Sequence, residues 1–373
     1  MEEQFIQQES AEIKICRFLS SINNYTPQEM VDILDKNNYV GQLKAKKSIC
    51  LLAYRHINRL QKIYLEKVPI DMLPAKENIL CVGPTGCGKT HLIELIFSKI
   101  IPLPHVIIDI TSYSGTGYVG QDVGQIFTRL IYAAEDFDLA EIGIVCIDEF
   151  DKIATSKNTG VFSGQGTTKD VNGYDVQKEL LKMFESSLID VPSQLSHSEY
   201  AQKIPFNTQN VPFIACGAFS SLKKTLNLKN KKIGFYNSNK EALTNPNYSR
   251  NDFNKVSIFE DYGLMPELIG RFSRILPFEL LEKSTLKEIL LKNTISKYEK
   301  ELSLENIKLV IDEKVCDKIV DEAYEKGIGA RGLKSFLLEY IEDACFEIYS
   351  KKSGNKSIII FLDTDGEINW KIE

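Results

Sequence analysis

Asn78-Ile-Leu-Cys-Val-Gly83-Pro84-Thr85-Gly86-Cys87-Gly88-Lys89-Thr90-His91-Leu-Ile-Glu-Leu-Ile-Phe97 is the stretch on which the reading of this chain turns. Residues 79–82 are an unbroken apolar run, the signature of a buried parallel strand. Residues 83–90 then read G-x-x-x-x-G-K-T, and Leu92, Ile93, Leu95 and Ile96 open an amphipathic helix. Strand, glycine loop and helix in that order form a phosphate-binding loop in the context the motif needs. Gly83, Gly86 and Gly88 let backbone N–H groups curl around a phosphate with no Cβ in the way. Lys89 is placed to reach the β- and γ-phosphates and Thr90 to ligate magnesium, and the helix N-terminus favours the anion. The expected ligand is a nucleoside triphosphate with Mg²⁺, and the expected class is α/β with a parallel sheet.

The second decisive stretch lies downstream. Residues 142–147 form another apolar run, ending in Asp148-Glu149-Phe150-Asp151. A strand ending in Asp-Glu is the usual partner of such a loop: Asp148 supports the magnesium and Glu149 polarises the attacking water. A built-in carboxylate base points to an ATPase rather than a GTPase or a kinase.

Composition sets the outer limits. The chain has 373 residues, 43% hydrophobic and 26% charged, an ordinary globular balance long enough for two or three domains. A formal net charge of −6 gives the surface as a whole no attraction for nucleic acid or anionic membrane. No apolar run reaches the length of a membrane span, and residues 1–9 lack a signal peptide's basic and apolar regions. The eight cysteines are dispersed and form no C-x-x-C pair, which fits reduced, buried thiols in a cytoplasmic protein and no zinc framework.

Periodicity and punctuation place the remaining elements. Residues 13–22 suggest a short amphipathic helix within an N-terminal extension, residues 1–25. Thr26-Pro27-Gln28-Glu29 is a capping box, and a helix is expected over 43–64. Strands are expected over 105–110, 142–147 and 212–216, and helices over 123–134 and 176–184. Residues 156–168 and 227–257 read as loops, and 190–210 as polar and irregular. The large domain spans 26–278. A small, mainly helical C-terminal domain follows over 279–373, opened by a second capping box at Thr285-Leu-Lys-Glu288 and closed by a hairpin over 358–372.

With these residues in view the chain resembles the AAA+ unfoldase ClpX over residues 26–348. The resemblance is carried by motifs in family order. They are Tyr39-Val40-Gly-Gln42, the phosphate loop, Gly117-Tyr118-Val119-Gly120, Ile147-Asp-Glu-Phe-Asp-Lys152, Gly263-Leu-Met-Pro-Glu-Leu-Ile-Gly-Arg271 and Gly329-Ala-Arg331. It implies a P-loop AAA+ large domain and a small helical lid. It further implies a homo-hexameric ring that uses ATP to draw unfolded or tagged proteins through a central pore. By that resemblance Tyr39 and Val40 contact the adenine and Arg271 is a finger reaching a neighbour's γ-phosphate. Arg331 is a sensor on the small domain, Tyr118 and Val119 line the pore, and Ile233-Gly234-Phe235 docks on a ClpP-like peptidase.

Departures from the pattern bear on recruitment. The zinc-binding domain is expected to be missing, because its cysteine pairs are not found. The basic pore-entrance loop has no counterpart, with only His197 and Lys203 basic there, and no polar sensor is evident in Ile214-Ala-Cys-Gly217. A stand-alone protein remodeller is the alternative; the closest rival of the same class, HslU, would carry a large inserted domain for which residues 152–175 leave no room. A DNA-acting AAA+ motor is the rival from another class, and it would require basic pore loops, whereas Tyr118, Val119 and Phe162 are offered instead.

Overall fold

The structure is a computed structural model that describes residues 10–114, 121–155, 171–185, 188–192, 203–220, 222, 256–350 and 356–373. Two compact units emerge. The first comprises residues 1–32, 44–83 and 89–278, and the second 33–43, 84–88 and 279–373.

The first unit is built on a five-stranded parallel sheet. Its strands are β1 (Ile79–Val82), β2 (His105–Asp109), β5 (Ile144–Asp148), β8 (Phe213–Gly217) and β9 (Arg274–Pro277), in the order β2-β5-β8-β1-β9. Two short ladders lie outside it, β3 (Tyr113–Ser114) with β4 (Gln121–Asp122), and β6 (Leu188–Pro192) with β7 (Lys203–Asn207). Central parallel strands are covered on both faces, so they must be apolar throughout; every residue of β1 and β8 is buried.

Helices α1 (Ala11–Ser21), α2 (Pro27–Lys36), α3 (Leu43–Tyr64), α4 (Lys89–Leu95), α5 (Gln125–Ala134) and α6 (Val171–Phe184) account for much of the rest. The box that starts α2 is formed as expected: Glu29 N–H donates to Thr26 Oγ1 at 3.3 Å and Thr26 N–H to Glu29 Oε2 at 2.8 Å. One apolar core carries a run of aromatic rings. Phe184 stacks 4.3 Å from Phe213, Phe127 lies 4.7 Å from Phe206, and Phe272 meets Phe150 and Phe184 edge-on.

The second unit holds a helical run over residues 283–303, then β10 (Ile307–Ile311), helices Glu313–Glu325 and Ala330–Ser350, and strands β11 (Lys356–Leu362) and β12 (Ile368–Ile372). β11 pairs parallel with β10 and antiparallel with β12, and Gly327 ends the helix before it at a φ of +63°.

Two expectations are corrected, and one strand lay where none was expected or excluded. Within 190–210, Leu188–Pro192 and Lys203–Asn207 pair as an antiparallel hairpin, whose Val191 and Phe206 are fully buried; the polar neighbours masked the alternation. No capping box forms at Thr285, because the helix already starts at Lys283 after Glu282 and Thr285 lies inside it. The edge strand β9 follows Arg271 with a mixed composition that gave no strand signal. The loops expected over 156–168 and 227–257 lie almost wholly outside the described residues.

Candidate functional site

The loop after β1 takes the shape its glycines permit. Gly86 and Gly88 hold φ values of +72° and +96°, which L side chains rarely adopt. Gly83 is fixed by its surroundings: its N–H donates to Gly217 O at 3.2 Å, and a Cβ there would lie 2.5 Å from Phe278 O. Lys89 and Thr90 open α4 directly beyond the loop. Lys89 is buried, and its ammonium donates to Gly83 O at 2.7 Å, so the charge is already drawn back over the loop it serves.

Thr90 and Asp148 come together as expected. The Thr90 hydroxyl donates to Asp148 Oδ2 at 2.7 Å, joining the start of α4 to the end of β5. Asp148 Oδ1 accepts from Glu149 N–H at 2.9 Å. Glu149 itself sits at φ +56°, a left-handed backbone that costs a non-glycine residue on the order of 1 kcal/mol. The bend turns the chain out of the strand at Glu149.

Asp151, two residues beyond Glu149, was not singled out by the sequence. It is buried and accepts from Ala218 N–H at 3.0 Å, Phe219 N–H at 3.2 Å and the Tyr262 hydroxyl at 3.3 Å. One carboxylate thus ties the end of β5 to the end of β8. Asn78 works similarly at the other end: its side chain accepts from Phe213 N–H at 3.0 Å and donates to Arg271 O at 3.2 Å.

In the second unit, Tyr39 is buried and its hydroxyl donates to Gly88 O at 3.1 Å, with half-buried Val40 beside it. Gln42, another residue without an assigned role, donates to Glu279 O at 2.7 Å and accepts from Glu279 N–H at 3.1 Å. The turn before the Ala330–Ser350 helix rests on the loop's tip. Ala330 N–H donates to Gly86 O at 3.1 Å, and exposed Arg331 is the next residue. Both glycines at this contact are required, for a Cβ on Gly86 would meet Ile328 O at 2.2 Å and one on Gly329 would meet Gly86 O at 2.8 Å.

The remaining expected residues fall into three groups. Pro84, Thr85 and Cys87 form the loop's tip, with Cys87 buried, and His91 is exposed on α4, 3.8 Å from Glu94. Arg271 is exposed and ion-paired with Glu185. Tyr118, Val119, Ile233, Gly234 and Phe235 lie outside the described residues.

Dispersed in sequence, three cysteines meet in space: Cys81 and Cys216 are register partners, and Cys146 hydrogen-bonds Cys216. That bond and full burial hold the Cys146 thiol well above the usual thiol range.

Residues 75–275 match the family described as AAA domain (Cdc48 subfamily), and residues 281–360 match the C-terminal, D2-small domain, of ClpB protein. The chain is also similar to proteins named ATP-dependent Clp protease ATP-binding subunit ClpX. That of Porphyromonas gingivalis is 35% identical over 358 residues, 93% of this chain and 83% of the relative. That of Bacteroides thetaiotaomicron is 38% identical over 334 residues, 87% and 78%. That of Borrelia duttonii is 34% identical over 356 residues, 93% and 80%. The chain belongs to the ClpX family.

A ClpX-family chain is an AAA+ ATPase, and the family implies ATP with Mg²⁺. The residues present fit both. A glycine cradle that a Cβ would fill and a buried lysine over it suit a polyphosphate. A threonine hydroxyl already joined to a carboxylate offers the hard oxygen donors magnesium takes. Among the described residues, no group of three or more His, Cys, Asp or Glu could hold a metal ion, and no helix is long and apolar enough to cross a membrane.

Proposed function

We propose that this chain is the ATP-driven unfolding subunit of a two-component, cytoplasmic protease. The observation that carries the reading is the junction of Thr90 with Asp148 at 2.7 Å, with Glu149 turned out of the strand immediately beyond. Backbone N–H groups of residues 83–88 cradle the phosphates, and Lys89 exchanges its bond to Gly83 O for one to the β- and γ-phosphates. Thr90 and, partly through water, Asp148 would hold Mg²⁺, which would supply the positive charge that neutralises the phosphates. Glu149 orients the attacking water and takes its proton. Tyr39 and Val40 hold the adenine, and Arg331 senses the nucleotide.

Chains assemble as a homo-hexamer in which Arg271 leaves Glu185 and completes a neighbour's site. The energy of hydrolysis moves Tyr118 and Val119, which pull an unfolded or tagged polypeptide through the pore. Ile233, Gly234 and Phe235 dock on a ClpP-like peptidase. The relatives' names, which make them ATP-binding subunits of a Clp protease, support the pairing.

Glu149→Gln tests the centre of this reading, because it keeps the side chain's size but removes the base. The variant should bind ATP with unchanged affinity while turnover falls by on the order of 10²-fold or more. Wild-type turnover would remove Glu149 from the mechanism.

A further inference from the structure

A cavity of about 370 Å³ lies in the first unit between α3, residues 73–77 and Pro212. It is far from the phosphate loop. Glu77 precedes β1, Pro212 precedes β8, and His56 on α3 meets Ile142 O at 3.2 Å just ahead of β5. The cavity therefore sits at the amino ends of the strands, whereas the loop follows the carboxyl end of β1, about 13 Å away along that strand alone.

Its lining is cationic. Arg55, Arg59, Lys62 and Lys76 face a single carboxylate, Glu77. That carboxylate is already engaged, by Arg55 at 2.7 Å and by Arg274 at 3.8 Å. Arg59 is only 9% exposed, and among its nitrogens Nη2 reaches Asn210 Oδ1 at 3.4 Å while buried Nε and Nη1 have no partner. Lys76 donates to Thr208 O at 2.7 Å and lies over the Phe213 ring at 5.1 Å. Among the described residues no carboxylate pairs with either cation. A buried guanidinium with two nitrogens unpaired and no counter-charge costs several kcal/mol unless something supplies the missing negative charge.

We propose that this cavity binds a small phosphate, either inorganic phosphate or the phosphate group of a small monoester. A dianionic oxyanion matches buried Arg59 with its unmet donors and half-buried Lys76, and guanidinium groups suit phosphate geometry. The charge states of the cluster agree. Burial, with Arg59 beside it, pushes Lys76 down to about 7. Burial pulls Arg59 down as well, and His56 falls to about 4 through burial, with Arg59 and Lys76 adding to the effect against its bond to Ile142 O. Burial is the leading cause at all three groups, and a bound anion would oppose it. The other titratable groups facing the cluster are Arg55, Lys62, Glu77, Arg274 and Tyr64, whose hydroxyl Asn210 contacts.

The test is calorimetry on the full chain with the phosphate loop saturated by a non-hydrolysable ATP analogue and Mg²⁺. Inorganic phosphate and glycerol phosphate are titrated separately at millimolar concentrations; the tighter of the two identifies the source. One further site per chain is expected. Arg59→Met and Lys76→Met should each weaken it at least tenfold, and Arg59→Lys should recover part of the loss. At pH 8 binding should draw a proton onto Lys76, so the heat measured should vary with the buffer's ionisation enthalpy, and Lys76→Met should abolish that variation. If Arg59→Met does not fold, as judged by circular dichroism and analogue binding, Lys76→Met decides. Absence of binding by either phosphate, or binding that both substitutions leave intact, overturns the proposal. Neither result bears on the ATPase reading, since the loop is occupied throughout.

Discussion

Asp151 offers the sharpest measure of how the catalytic edge of the sheet is held. Its carboxylate accepts two backbone N–H groups, from Ala218 and Phe219, and the Tyr262 hydroxyl. Asp151→Ala would remove the carboxylate that both amides donate to, one on fully buried Phe219 and one on half-buried Ala218. Losing the acceptor of a buried donor costs about 1–3 kcal/mol and that of a half-buried one less, so the two cost about 2–4, and the cavity left by the side chain adds to this. Asp151→Asn keeps one acceptor oxygen but turns an amide toward the second N–H, for a loss of about 1–3 kcal/mol. The strain at Phe219, whose φ is +49°, is maintained only while its N–H is held, so it is the first segment expected to relax. Urea unfolding followed by far-ultraviolet circular dichroism reads the effect. With a slope of about 3 kcal/mol/M, the alanine variant should unfold about 1 M earlier and the asparagine variant about 0.5 M earlier. Equal midpoints for wild type and Asp151→Ala would show that the carboxylate does not hold the two strand ends together.

Further expectations follow from other contacts. Gly86→Ala forces an L side chain into φ +72° and sets its Cβ 2.2 Å from Ile328 O, so the Ala330 N–H bond must break; ATP affinity should fall roughly tenfold or more, checked by fluorescent-nucleotide titration, and unchanged affinity would refute the contact. His56, with its pKa lowered to about 4, stays neutral in the fold while the unfolded chain's histidine gains a proton below about 6.5. Its stabilisation is therefore complete above pH 6.5 and is lost as pH falls toward 4, by about 3 kcal/mol, a slope that His56→Gln should lack when the two stability–pH curves are subtracted. Arg271→Ala chains mixed with Lys89→Ala chains should regain part of the ATPase activity that neither has alone; co-assembled rings that stay inactive at every ratio would exclude a shared site.

Where the sequence was legible, one element determined its own structure. Residues 79–90 needed only apolar continuity and three glycines to announce a strand and a phosphate loop, and the Thr26–Glu29 box closes through its own side chains. The 43–64 helix likewise carries its periodicity within itself. Illegible features all depend on partners distant in the chain. Strand β9 is a strand because Val82 and Asn78 receive its neighbours' N–H groups, not because Arg274-Ile-Leu-Pro277 favours one. The buried face of the β6–β7 hairpin shows only once Phe206 reaches Phe127 and Phe137.

The same division runs through the site. Lys89, Thr90, Asp148 and Glu149 announce themselves because their chemistry is local to two motifs. Asp151, Asn78 and Gln42 look like ordinary polar residues until the backbone amides and carbonyls they satisfy are known. Those three are where the fold converts sequence into geometry. Each replaces water on main-chain groups at a strand end or loop that has no regular partner, and each thereby fixes a segment bearing a residue with a proposed chemical role. Asp151 holds the strand end beside Glu149, Asn78 the backbone of Arg271, and Gln42 the box containing Tyr39. A substitution at any of them should therefore lower turnover through misplacement rather than through lost chemistry, leaving the pH profile of the ATPase unchanged in shape while its height falls.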